Sequence, residues 1–74
     1  MGRLRVLSGS EICAILERNG FREVRHHGSH RVMQRTAGDG TVTVPVPMHA
    51  SIRRGTLASI IRQSGLAKSM FESD

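Results

Sequence analysis

The sequence predicts an α+β domain in the order α-β-β-β-α, a three-stranded antiparallel sheet with two helices on one face. Three observations predict it. Apolar residues recur at helical spacing near both ends of the chain, at Ile12, Ile15 and Leu16 and again at Leu57, Ile60 and Ile61. Between them lie two tight-turn signals, Gly28-Ser29 and Ala37-Gly38-Asp39-Gly40, which divide segments that lack this spacing. The last segment, Thr41 to Val46, alternates valine with threonine or proline, the pattern of a half-buried strand.

Each element follows in turn. Ser8-Gly9-Ser10-Glu11 is a capping-box sequence: the serine accepts from the first turn while the glutamate reaches back. The helix it starts carries Ile12, Ile15, Leu16 and Asn19 at helical spacing, and Gly20 is placed to end it. Phe21 to His27, with Phe21 and Val24 amid charges, reads as a strand. Glycine at the first central position of Gly28-Ser29 is what a type II′ turn requires, so His30 to Arg35 is the returning strand. Thr41 to Val46 is the third strand, closed by Pro45 and Pro47. From Arg54 onward the second apolar stripe makes a helix capped by Gly65, after which Leu66, Met70 and Phe71 fold back as a short helical turn.

Seventy-four residues make one domain, 1–74, near the lower size at which a chain folds without a staple. A core of this size supplies only a few kcal/mol net, which leaves room for a protein partner to add stability. The single Cys13 excludes an internal disulfide, fits a reducing compartment, and falls in the apolar pattern as a packing residue. No apolar run is long enough to span a bilayer, and MGRLRVLSGSE lacks the long apolar stretch of a signal peptide. The expectation is a soluble, cytoplasmic protein.

The formal charge is +5, and Lys68 is the one lysine among 11 basic residues. Arginine's planar fork of donors suits phosphate better than lysine's point charge. Such a balance favours a polyanion or an acidic protein over a neutral metabolite; the bland alternative is a solvated basic surface. With Phe21 and Phe71 as the only aromatic residues of the Phe, Tyr and Trp set, nucleic-acid binding would rest on phosphate and shape rather than base stacking.

The stretch Arg25-His26-His27-Gly28-Ser29-His30 holds three of the 4 histidines. As a metal site it is poor. It offers no cysteine, Glu23 is its nearest carboxylate, arginines surround it, and adjacent strand residues point to opposite faces. No metal and no cofactor are expected. As a catalytic base it is better placed: a two-residue turn sets His27 directly opposite His30 on one sheet face, with Arg25 and Arg31 close by. Arginines can neutralise charge growing on a phosphoryl transition state. RNA carries its own nucleophile in the 2′-OH, so one base and a cationic cradle could suffice. On residues alone, exposed histidines on a basic hairpin remain the weightier reading.

The ordered set is more specific than any part of it. A helix ending in Asn19-Gly20-Phe21 is followed by Gly28-Ser29-His30 and then by Val42-Thr43-Val44-Pro45. Gly55-Thr56-Leu57 and Ile60-Ile61-Arg62-Gln63-Ser64-Gly65-Leu66 complete it. Over roughly residues 8–71 this resembles the HicA family of small toxins from prokaryotic toxin–antitoxin pairs. The resemblance implies a fold similar to double-stranded-RNA-binding domains. It implies a metal-independent mRNA endoribonuclease held inactive by a HicB-type antitoxin. It places the catalytic histidine at His30, with Gly28 and Ser29 as its motif neighbours. Phosphates would then be held by Arg25, Ser29, Arg31, Arg53 and Arg54. Two departures from the family pattern stand out. Pro47 and Met48 intervene before His49, to which no role is assigned, and Ser10 stands where a basic residue is common. The alternative function is a non-catalytic RNA-binding module using the same surface; a third is a subunit that docks an acidic protein.

Overall fold

The computed structural model describes residues 3, 4 and 6–73. Along the chain run strand β1 (Arg3–Leu4), helix α1 (Gly9–Arg18), and strands β2 (Arg22–His27), β3 (His30–Ala37) and β4 (Gly40–Pro47). Helix α2 (Arg54–Ser64), a 3₁₀ turn (Lys68–Phe71) and strand β5 (Glu72–Ser73) follow. The α-β-β-β-α order stands as expected. Strands β1 and β5 add to it by pairing antiparallel, with Arg3 opposite Ser73 and Leu4 opposite Glu72. The main sheet has the order β2-β3-β4, and every pair in it is antiparallel.

Local chemistry accounts for the boundaries. Ser8 caps α1 reciprocally: the Glu11 amide donates to Ser8 Oγ at 3.1 Å, and the Ser8 amide donates to Glu11 Oε1 at 2.8 Å. At the other end the Asn19 side chain donates to the Ile15 carbonyl at 2.8 Å, satisfying one of the last free carbonyls. Gly65 closes α2 with φ of 71°, a left-handed conformation that favours glycine.

The helices cover one sheet face. Met33 on β3 and Val44 and Val46 on β4 point into it, against Ile12, Ile15 and Leu16 of α1 and Leu57, Ile60 and Ile61 of α2. Leu7, Cys13, Phe21, Ile52 and Phe71 complete this core, so the expected apolar stripes both meet the sheet. Strand β2 stands apart: all six of its residues are exposed, and it touches the fold mainly through β3. A bulge between Glu23 and Arg25 breaks its ladder. The helix layer therefore lies over β3 and β4, and β2 forms an open edge beside it.

Candidate functional site

The turn between β2 and β3 sets the first part of the site. Gly28 has φ of 52°, and no residue other than glycine has a positive φ among the described residues, so Ser29 follows on the ordinary side. That sign pattern is the type II′ turn, which brings His27 directly opposite His30. Side chains alternate across a strand, so Arg25, opposite Val32, joins His27 and His30 on the face away from the helices. His26 falls on the other face, where its Nε2 lies 3.0 Å from the Gly28 carbonyl oxygen and, protonated there, donates to it.

Arg31 does not join His30. It follows His30 in the strand and pairs with Val46, a core residue, so the same alternation turns it to the helix side. There its Nε lies 3.1 Å from Glu23 Oε1, an ion pair by distance without the alignment of a hydrogen bond. Its guanidinium also neighbours Cys13 on α1, whose thiol burial pushes up while Arg31 acts in the opposite sense. Arg35, on the same side, places its guanidinium 5.2 Å from the centroid of the Phe21 ring.

The second part is the loop from β4 to α2, which three backbone hydrogen bonds fix. The Met48 amide donates to the Ser29 carbonyl, tying the loop to the hairpin tip. Gly9 donates to the His49 carbonyl at 2.9 Å, and Ile52 donates to the Leu7 carbonyl at 2.8 Å. Gly9 must be glycine for this junction to close. A Cβ there would fall on the Pro47 carbonyl oxygen and lie 2.8 Å from Met48 Cα.

Beside this junction lies a cleft of about 280 Å³ lined by Pro47, His49, Ser51, Ile52, Arg53 and Thr56. Pro47 is the residue paired with His30, so the cleft opens next to His30. Its far wall is the start of α2. Arg53 occupies the N-cap position with no side-chain hydrogen bond to the first turn, and no acidic residue stands in that turn. Amides that lack partners there, with the positive end of the helix dipole, make a setting suited to a phosphate. Among the described residues no carboxylate lines the cleft.

Of the residues singled out from sequence, Arg25 and His30 share the open sheet face of the hairpin, the Ser29 carbonyl accepts from the loop, Arg53 lines the cleft, Arg54 begins α2, and Arg31 lies behind the sheet. His49, Ser51 and Thr56 were not singled out, because only the folded loop brings them into the cleft. Among the described residues no group of three or more His, Cys, Asp or Glu is placed to hold a metal ion, and no helix is long and apolar enough to cross a membrane.

A family model described as the HicA toxin of bacterial toxin–antitoxin systems matches residues 9–66 of the 74-residue chain. That span runs from the first residue of α1 through the cap of α2 and includes every residue of the hairpin and the cleft. No curated protein matches the chain.

Proposed function

The chain belongs to the HicA toxin family of bacterial toxin–antitoxin systems, and on that premise we propose that it cleaves mRNA as a metal-independent endoribonuclease until a HicB-type antitoxin binds it. The observation that carries the reading is the junction of His30, through Pro47, with a cleft lined by Arg53 and the start of α2. His30 acts as general base on an RNA 2′-OH. Arg25, Ser29, Arg53 and Arg54, with the first amides of α2, hold the phosphates, while Arg31 stays in its ion pair with Glu23 behind the sheet.

The chemistry needs no external nucleophile. Once His30 removes its proton, the 2′-oxygen attacks the adjacent phosphorus, and the 5′-oxygen leaves, giving a 2′,3′-cyclic phosphate and a 5′-OH end. Arginine forks match two phosphate oxygens at once and keep their charge at every working pH, which suits them to the growing negative charge.

The test is cleavage of one RNA by wild type, His26→Ala and His30→Ala, with chelator present throughout. His30→Ala should lose roughly 10²–10⁴-fold in rate, the usual contribution of a general base. It should keep RNA affinity and fold, and its expression should no longer arrest growth. His26→Ala, on the other face, should stay near wild type. Undiminished cleavage by His30→Ala, or arrest of wild type by the chelator, would sink the mechanism. RNA binding by wild type with no cleavage would leave a binding module instead.

A further inference from the structure

We propose that His49 is the second proton-transfer group of this site, the general acid that protonates the departing 5′-oxygen. The inference rests on the ribonuclease reading above and completes it. Across the sheet the order is His27 on β2, His30 on β3 and Pro47 on β4, with the cleft beyond Pro47. His49 lines that cleft together with Pro47 and Arg53.

Geometry selects His49 over His27. In an in-line displacement the attacking and leaving oxygens stand on opposite sides of phosphorus. Base and acid must therefore be separated by a phosphoryl group and two hydrogen bonds of about 2.8 Å each. His49 follows Pro47 by two residues, a chain reach of at most about 7 Å, which leaves room for a phosphoryl group between His30 and the His49 ring. His27 is directly opposed to His30, with Cβ atoms about 5 Å apart, and it lies on the side of β3 away from the cleft. It would meet the same side of the phosphate that His30 meets.

The backbone under His49 is held while its ring is left available. Its carbonyl accepts from Gly9, which packs against Pro47 and Met48, and the preceding amide is bonded to Ser29. The His49 side chain is exposed and has no hydrogen bond or ion pair among the described residues. A ring fixed at its root and free at its tip, in a cleft that takes phosphate, suits proton delivery.

The step balances. His30 takes the 2′-OH proton, the O2′–P bond forms, the P–O5′ bond breaks, and the His49 imidazolium gives its proton to O5′. Solvent then restores the two rings to their starting states.

A leaving group that needs no proton separates this role from any structural one. Wild type, His49→Ala, His49→Gln, His27→Ala and His30→Ala are compared on an RNA oligonucleotide with one mapped cleavage site. The second substrate is its analogue with sulfur in place of the bridging 5′-oxygen. A thiol ionises near about 8.5, so sulfur departs as thiolate unaided. Both His49 variants should lose roughly 10²–10⁴-fold on the oxygen substrate and come within about tenfold of wild type on the sulfur substrate. The alkaline limb of the pH–rate profile should vanish with them. His30→Ala should be slow on both substrates. His49→Gln keeps size and hydrogen bonding, and melting curves with RNA affinity confirm that each variant folds. Equal losses on both substrates, or rescue by sulfur in His27→Ala rather than in the His49 variants, would overturn the assignment. Failure of the parent reading looks different: wild type would then release no cyclic phosphate from the oxygen substrate.

Discussion

Cys13, at 1% exposure, sits on α1 where apolar core meets the Arg31 guanidinium. Burial disfavours the thiolate more than the arginine favours it, so the folded thiol ionises above its ordinary value. The sign follows: as pH rises, the unfolded chain gains thiolate first. This contribution to stability is complete below the ordinary thiol value of 9.0 and is lost as pH climbs through the folded one. Urea midpoints should therefore fall on the alkaline side of that value. Cys13→Ala, although less stable at every pH, should lack this particular step. A thiol reagent should label native protein far more slowly than denatured protein; equal rates would place the thiol at the surface. Gly9 gives a second test at this scale. Gly9→Ala forces a methyl onto the Pro47 carbonyl and should destabilise by about 1–3 kcal/mol, the usual penalty of overpacking. Gly55→Ala meets nothing within 4 Å and lies inside α2, so it should raise the melting temperature through helix propensity worth up to about 1 kcal/mol. Opposite signs from one chemical change would confirm the two environments.

Among the elements, α2 turns Leu57, Ile60, Ile61 and Ser64 inward and leaves its other side to solvent. Ile60 is 2% exposed on its inner stripe, so Ile60→Ala should cost about 2–5 kcal/mol in chemical unfolding. An unchanged midpoint would mean that another face of α2 packs on the sheet. The helices and the long strands were legible because their signals are local: the Ser8 cap, the Gly28 and Gly38 turns, the valine alternation and the Gly65 stop. Strands β1 and β5 were not, since two residues show no period and their pairing joins positions 3 and 73. The candidate site divides the same way. His30 opposite His27 follows from turn length alone. The place of Arg31 follows from alternation along β3, yet charge proximity in sequence suggested the reverse. His49 could not be placed from sequence, because its position depends on the Met48 and Gly9 backbone bonds between distant segments. Family likeness offered no help there, since Pro47 and Met48 alter the spacing of that loop.

For the whole molecule, the proposed function and a formal charge of +5 in an 8.1 kDa chain predict an association with RNA that depends strongly on salt. Each neutralised single-strand phosphate contributes about −0.7 to the log–log slope, and three to five contacts would give roughly −2 to −4. A slope near zero in binding titrations would remove the phosphate cradle. His30→Ala should share the wild-type slope, since it removes no fixed charge. The bonds from Met48 to Ser29, Gly9 to His49 and Ile52 to Leu7 have a further meaning at this scale. They stitch the hairpin tip, the irregular loop and the start of α1 into one cooperative unit, so these three amides should exchange with solvent about as slowly as those of the core. Fast exchange there would reveal a separately opening flap. Slow exchange would mean that the protein cannot reshape itself around a target, and that under the proposed function a structured message would have to unpair and bend to be cut.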